Sequence, residues 1–183
     1  FVTAISSLLN DGYVVITGDD SIRKRPMRPL LAALKQLGVN SFSTRKNGKA
    51  PIIVQGGGIN GDNITIDGSI SSQFISGILI AGVCAKSEIS LSVTGKQVSK
   101  SYIESTLNVM YKFGARVKHS RDYRKYNIFN NPYVPTTFTV PGDFSTASLL
   151  LSAGTLVGGE ITVSNLDFSL PQGDSKILEI LKK

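Results

Sequence analysis

The chain is poor in the residues that build disulfides, metal sites and membrane spans. It has one Cys, one His and no Trp among 183 residues. One Cys cannot form an internal disulfide, and one Cys with one His leaves almost no soft metal ligands, so we expect neither feature. The longest apolar run, residues 74–85, is broken by Ser and Gly and falls short of the roughly 20 residues of a membrane-spanning helix. No signal peptide opens the chain, which makes a cytoplasmic location the expectation.

What the chain does have is a globular composition with a basic excess. Hydrophobic residues make up 41% and charged residues 18% of the sequence, which excludes a disordered tail. There are 20 Lys and Arg residues against 13 Asp and Glu, for a formal net charge of +7. Because a basic surface attracts anions, the partner or substrate is expected to be anionic.

Three stretches of the chain share one order of elements. Each has an apolar helix, a short strand of β-branched residues and an amphipathic helix, and Gly18 and Gly38 of the first stretch recur as Gly95 and Gly114 of the second. Such spacing indicates a repeated β-α-β-α-β-β unit of roughly 75 residues in an α/β protein. The predicted helices are residues 4–9, 28–39, 73–81, 102–115, 147–153 and 177–183. The apolar face of the first amphipathic helix is predicted to consist of Leu30, Leu31, Leu34 and Leu37, and that of the second of Ile103, Leu107, Met110 and Tyr111. The predicted strands are residues 13–18, 39–44, 52–55, 63–68, 89–95, 116–119, 126–129, 137–142 and 160–165.

Both ends of the sequence cut through a unit of this repeat. Phe1 falls inside a predicted buried helix, and Lys183 stops where the other units carry a capping Gly and two more strands. We therefore expect the chain to be a fragment of a longer protein built from the same repeat.

The segment Asp67-Gly68-Ser69-Ile70-Ser71-Ser72-Gln73-Phe74 joins a predicted strand to a buried helix. The first turn of a helix has free N–H groups and a favourable dipole for anions, and two hydroxyls and an amide add donors there. This pattern suits a phosphate or a carboxylate. A plain N-cap role for Ser71 explains the same pattern and stays open.

Two basic segments occupy equivalent places in the first two units. Residues 21–29 contain four cations within six positions, and residues 94–102 combine Lys with hydroxyls and a phenol. Arg offers a bidentate fork for anions, and equivalent loops of neighbouring units tend to lie at one end of a fold. The alternative is a solvated run of charge. Elsewhere, Cys84 is expected to be a packed thiol, and residues 121–126 an exposed hairpin whose aromatic and basic side chains also fit a nucleic-acid surface.

Several blocks resemble the 5-enolpyruvylshikimate-3-phosphate synthase family. They are residues 18–27, residues 67–74 with the sequence Ser-Ser-Gln-Phe at their end, residues 98–103, residues 142–148 and residues 172–174. The resemblance implies the inverse β-α-β-α-β-β repeat of the enolpyruvyl transferase fold, here a partial set of six units in two domains. It assigns residues 1–141 to the substrate-binding domain and residues 142–183 to the start of the return to the second domain.

The resemblance also implies an activity. The family transfers the enolpyruvyl group of phosphoenolpyruvate to the 5-hydroxyl of shikimate 3-phosphate and releases phosphate, with no metal or other cofactor and as a monomer. The residues implied to bind shikimate 3-phosphate are Ser71, Ser72, Gln73, Ser99 and Tyr102. Those implied to bind phosphoenolpyruvate are Arg25 and Gln73. The family's acid–base residues have no counterpart in this chain, so we expect no turnover by the chain alone.

Three other readings compete with this one. The UDP-N-acetylglucosamine enolpyruvyl transferases share the fold and the donor but lack the Ser-Ser-Gln-Phe and Arg-Lys-Arg-Pro blocks in this form. A basic nucleic-acid-binding module would stack bases on Tyr123 or Tyr126 and bind less tightly as salt rises. A structural scaffold would leave the two basic loops without a common ligand.

Overall fold

The computed structural model describes residues 1–182. The chain divides into two compact units, Phe1–Pro135 and a second unit that begins at Thr136. The helices are α1 (Val2–Ile5), α2 (Asp20–Lys24), α3 (Arg28–Gln36), α4 (Ser72–Gly82), α5 (Lys100–Lys112), α6 (Phe144–Val157) and α7 (Ile177–Leu181), with 3-10 turns at Ser6–Leu8 and Gly173–Lys176. The strands are β1 (Tyr13–Ile16), β2 (Ser41–Ser43), β3 (Ile52–Gln55), β4 (Asn63–Asp67), β5 (Ile89–Thr94), β6 (Val117–His119) and β7 (Lys125–Ile128).

The first unit contains two sheets with the same internal order. One sheet runs β1-β3-β2 and the other β4-β5-β7-β6. Each sheet contains a hairpin, β2-β3 in the first and β6-β7 in the second, whose first strand lies at the edge of the sheet. The second strand of each hairpin also pairs antiparallel with a further strand, β3 with β1 and β7 with β5. Strand β4 extends the second sheet and is parallel to β5. The elements β4-α4-β5-α5-β6-β7 therefore form one whole β-α-β-α-β-β unit, and the repeat predicted from the sequence is confirmed.

Helix α4 lies at the centre of the core because nearly every face of it is apolar. Ile75, Ile78 and Leu79 are fully buried. Helix α1 packs against α4 at Gly77, where an added Cβ would lie 3.6 Å from the Cβ of Ala4, at ordinary contact distance. The amphipathic helices α3 and α5 pack their apolar faces inward, with the predicted positions Leu30, Leu34, Leu37, Ile103, Leu107 and Met110 buried. Burial of this kind is the main favourable contribution to the stability of the unit.

Helix ends follow the signals in the sequence. Gly38 and Gly114 end α3 and α5 with φ of +75° and +81°, the left-handed conformation that only glycine adopts without cost. Ser71 is the N-cap of α4, and its side chain accepts a hydrogen bond from the Gln73 N–H. The capping role predicted for Ser71 is thus confirmed, and it leaves the other donors of that turn available.

The outer edge of β4 is covered by a side chain instead of a strand. Gln36 Nε2 donates to the Thr65 carbonyl at 2.9 Å, and Gln36 Oε1 accepts from the Thr65 N–H at 2.9 Å. The Gln36 amide thus forms the two backbone hydrogen bonds that a neighbouring strand would form with Thr65. It satisfies backbone groups that an edge strand otherwise exposes to solvent. Since Gln36 lies at the end of α3, this contact ties the first repeat to the sheet of the second.

The second unit is helical where it is regular. Asp143 caps α6 by accepting from the N–H groups of Ser145 and Thr146. The strands predicted at residues 137–142 and 160–165 are wrong, because this region contains no ladder of backbone bonds. The two segments share one backbone bond, from Gly142 N–H to the Asn165 carbonyl at 2.6 Å, whereas a strand needs a repeating set.

Three smaller differences separate sequence and structure. Helix α2 was not predicted, although Asp19 caps it by accepting from Ile22 N–H. Cys84, predicted to be a packed thiol, is exposed, whereas its neighbours Val83 and Ala85 are buried. Tyr111, expected on the buried face of α5, is 42% exposed and donates from its hydroxyl to the Val117 carbonyl.

No helix in residues 1–182 combines the length and apolar character needed to cross a bilayer.

Candidate functional site

A cleft of about 660 Å³ opens in the first unit. Most of its wall comes from the segment around α2 and the start of α3, the turn that begins α4, and the loop that leads into α5, and further residues come from α1, β1 and the start of β3. The lining residues are Phe1, Val2, Thr3, Ile16, Ile22, Arg25, Pro26, Met27, Leu30, Ala50, Ile52, Ile70, Ser71, Ser72, Gln73, Phe74, Val98, Ser99 and Tyr102. All six residues predicted to bind ligand are in this set, and the set contains no Asp, Glu, His or Lys.

The N-terminal turn of α4 forms the central part of the wall. Ser71 caps the helix, with its hydroxyl 3.2 Å from the Gln73 nitrogen. Ser72 is 5% exposed and lines the cleft, and its hydroxyl oxygen is not among the buried side-chain atoms that lack a partner. Together with the helix dipole, this turn offers donors to an anion.

Arg25 brings a positive charge to the same wall. It ends α2, and its Nη1 donates to Gln73 Oε1 at 3.4 Å, so the two side chains lie side by side at the cleft. Over the described residues the single ion pair joins Arg23 to Asp20 at 2.8 Å. The guanidinium of Arg25 therefore has no carboxylate to neutralise it, and it can take a bidentate hold of an anion.

Ser99 and Tyr102 enter the cleft from the start of α5. Ser99 has φ +52° and ψ +52°, and its side chain does not cap the helix. This left-handed conformation is disfavoured for a residue with a Cβ and often marks a functional position. Tyr102 is 57% exposed, so its ring and hydroxyl are accessible to a ligand.

The two loops that carry these residues are fastened to each other at Gly68. The Gly68 N–H donates to the Thr94 carbonyl at 3.0 Å, and the Gly68 carbonyl accepts from Val98 N–H at 3.2 Å. Asp67 accepts from the Ser69 N–H at 2.9 Å, which lowers the pKa of its carboxyl. Because β4 and β5 are parallel, their loops leave the sheet at the same end, and these bonds keep them side by side.

A second tie joins the two helices one turn further on. The Thr106 hydroxyl donates to the Tyr102 carbonyl at 2.8 Å, which uses its only proton. Ser76, 1% exposed, lies 2.8 Å from the Thr106 oxygen and must therefore be the donor of that bond. The chain of bonds from Ser76 through Thr106 to Tyr102 sets the spacing of α4 and α5 next to the cleft.

Other candidates from the sequence lie away from the cleft. Arg23, Lys24 and Lys96 do not line it. Residues 121–124 form the turn between β6 and β7, and Lys125 and Tyr126 begin β7. One face of Tyr123 is covered by His119, with ring centroids 4.5 Å apart, and Tyr126 is 1% exposed. Within residues 1–182 no group of three His, Cys, Asp or Glu side chains could hold a metal ion.

The apolar part of the wall was missed by reasoning from the sequence. Ile22 and Ile70 are 43% and 49% exposed, and both line the cleft. The available signal was a lone Ile inside each otherwise polar block, at residues 19–25 and 67–73. A mixed wall of this kind, apolar with a few convergent polar groups, is typical of sites for small molecules.

Comparison with known proteins identifies the family of the chain. The model of the EPSP synthase (3-phosphoshikimate 1-carboxyvinyltransferase) family matches residues 1–183. The 3-phosphoshikimate 1-carboxyvinyltransferase of Methanococcus maripaludis strain C7 is 44% identical over 185 residues, which covers 100% of this chain and 43% of that protein. The protein of the same name from Methanococcoides burtonii is 46% identical over 186 residues, with coverage of 100% and 43%. The chain thus spans less than half the length of these relatives.

Solved structures give the same fold. EPSP synthase from Acinetobacter baumannii superposes with a TM-score of 0.74 at 26% identity, covering 99% of this chain and 39% of that one. The enolpyruvyl transferase NikO from Streptomyces tendae superposes with a TM-score of 0.56 at 17% identity over 81% of this chain and 34% of its own, a likeness of fold alone. The architecture is therefore part of the enolpyruvyl transferase fold, and the chain belongs to the EPSP synthase (3-phosphoshikimate 1-carboxyvinyltransferase) family.

Proposed function

We propose that this chain forms the substrate-binding wall of a 3-phosphoshikimate 1-carboxyvinyltransferase. That enzyme transfers the enolpyruvyl group of phosphoenolpyruvate to the 5-hydroxyl of shikimate 3-phosphate and releases phosphate. The observation that carries the proposal is that all six residues matched to the family's binding positions line one cleft. They come from segments far apart in the sequence, and a fold without this site has no need to bring them together.

Shikimate 3-phosphate is assigned to the side of the cleft between α4 and α5. Ser71, Ser72 and Gln73 supply donors at the helix N-terminus, Ser99 binds the phosphate and Tyr102 lies against the ligand. The support is that Ser72 and Ser99 both line the cleft and that the Ser99 hydroxyl makes no capping bond to the helix. Both hydroxyls can donate to an oxygen-rich anion that enters the cleft.

Phosphoenolpyruvate is assigned to the side formed by Arg25 and Gln73. The contact of 3.4 Å between them places the charged fork beside the amide, so that one molecule can meet both. The formal net charge of +7 favours the approach of two anionic substrates.

We also infer that the chain binds its substrate without turning it over. Adding the enolpyruvyl group requires proton transfer, and no lining residue of the cleft is an Asp, Glu, His or Lys. Residues 1–141 are assigned to the substrate-binding domain and residues 142–183 to the start of the second. Phosphate release by the purified chain would contradict this part of the proposal. The cytoplasmic location and the monomeric state stay predictions.

The test is a titration of the ¹⁵N-labelled chain followed by ¹⁵N–¹H spectra. Shikimate 3-phosphate should shift the amides of residues 71–73 and 99–102, and UDP-N-acetylglucosamine or a DNA oligonucleotide should not. Arg25→Gln should abolish the response to phosphoenolpyruvate. Arg23→Gln is the matched control, because Arg23 is on the same short helix but pairs with Asp20. No shifts with the sugar phosphate, or equal loss with both variants, would refute the proposal.

A further inference from the structure

Ser99 keeps a disfavoured backbone conformation without help from its own side chain. Its φ is +52°, and its hydroxyl makes no capping bond. A serine can offset part of the cost of this conformation with a local hydrogen bond, but here none is formed. The neighbouring residues must therefore hold it, and what they hold is a hydroxyl at the edge of the cleft.

The residues before Ser99 are fastened at two points. Val98 N–H donates to the Gly68 carbonyl at 3.2 Å. Gln97 Nε2 donates to the Tyr126 hydroxyl at 3.3 Å. Tyr126 is a rigid anchor, since it is 1% exposed and sits in the middle of the sheet, opposite Leu91 on β5.

The contribution of Gln97 to stability does not explain why this position has an amide side chain. Its Oε1 atom is buried and has no hydrogen-bonding partner within the described part of the chain, and a buried acceptor in that state destabilises a fold. The other half of the amide makes a single bond, to Tyr126. An apolar side chain of the same length would fill the space without the unpaired oxygen, so the amide is better explained by what its one bond holds in place.

We propose that Gln97 is a positioning residue for the binding of shikimate 3-phosphate. Its bond to Tyr126 ties the loop after β5 to the sheet, and this tie with the Val98–Gly68 bond fixes Ser99 in its left-handed conformation with the hydroxyl at the cleft. The inference rests on the function proposed above, in which Ser99 binds the phosphate. Gln97 itself does not line the cleft and acts through Ser99.

The experiment compares Gln97→Met, Tyr126→Phe and the double variant of the full chain. Two quantities are measured for each: the Kd for shikimate 3-phosphate, and the backbone chemical shifts of Ser99 without ligand, which report φ. Tyr133→Phe is the matched control, because Tyr133 is a partly buried tyrosine whose hydroxyl also makes one bond, 3.0 Å from the Ile80 carbonyl, and it does not line the cleft.

We expect Gln97→Met to raise the Kd about tenfold with an unchanged or higher melting temperature. Ser99 shifts should move toward the ordinary helical range. The double variant should bind no more weakly than the weaker single variant, since both remove the same bond. Tyr133→Phe should lower the melting temperature and leave the Kd unchanged. This split between affinity and stability separates positioning from a purely structural role.

Two results have different meanings. If the parent chain binds shikimate 3-phosphate, and Gln97→Met binds it within twofold of the parent with unchanged Ser99 shifts, the positioning role is refuted and the proposed function stands. If the parent chain does not bind shikimate 3-phosphate at all, the proposed function is refuted. The backbone chemical shifts of Ser99 in Gln97→Met then still show whether Gln97 maintains the left-handed conformation of Ser99.

Discussion

The contact of Gln36 with the edge of β4 leads to a quantitative prediction. Replacing Gln36 by Met keeps the length of the side chain and removes both bonds to Thr65, each of 2.9 Å. The Thr65 N–H and carbonyl then have water as their only new partner. A hydrogen bond contributes about 0.5–1.5 kcal/mol net. Since Gln36 is exposed and water can replace part of the loss, we expect the free energy of unfolding to fall by about 1–2 kcal/mol.

Two measurements check this magnitude. The melting temperature of the chain should drop by about 3–6 °C. The Thr65 amide should exchange with deuterium about 5- to 30-fold faster than in the parent chain, because the same free energy is lost locally. Lys35→Met is the control, since Lys35 is exposed on the same helical turn and has no bond to β4. If the Thr65 exchange rate is the same in Gln36→Met and the parent, the amide does not substitute for a strand and the reasoning is wrong.

Three further predictions concern the cleft and its supports. Ser71→Ala removes the N-cap of α4 and should cost about 1 kcal/mol in chemical denaturation; an unchanged midpoint would contradict the capping role. Gly95→Ala should destabilise the chain, because φ is +71° and the new Cβ would lie 2.5 Å from Asp67 Oδ1, and equal stability would show that the loop has room. Burial raises the pKa of Tyr126 to about 12 from 10.0. An unfolded tyrosine loses its proton at lower pH than this one, so stability should fall between pH 10 and 12. In the Tyr126→Phe variant the free energy of unfolding should fall less steeply over this pH range. An equally steep fall in the variant would contradict the role given to Tyr126.

Local patterns predicted most of the first unit. The helices were visible because their apolar residues recur on one face or on all faces, and Gly38 and Gly114 mark two of the helix ends. These signals depend on neighbours three or four positions away. The strands predicted at residues 137–142 and 160–165 failed because pairing is not local: alternation shows that a segment can be a strand, but it cannot supply the partner.

The candidate site was predicted in part. The basic loops at residues 21–29 and 94–102 were expected at one end of the fold because equivalent loops of neighbouring units tend to lie together. The chemistry of Ser72, Gln73 and Arg25 was visible in the residue types. The left-handed conformation of Ser99 could not be predicted, because serine has no particular preference for a positive φ. This conformation depends on bonds made elsewhere, between Val98 and Gly68 and between Gln97 and Tyr126.

The internal repeat also bears on the proposed binding of two anions in the cleft. Strands β1 and β5 are equivalent, since each pairs antiparallel with the second strand of its hairpin. The loop after β1 leads to Arg25 and the loop after β5 leads to Ser99, and both residues line the same cleft. One repeat alone presents one anion-seeking loop. Two repeats packed about α4 bring both loops to one cleft, and this duplication supports the proposed binding of two negatively charged substrates.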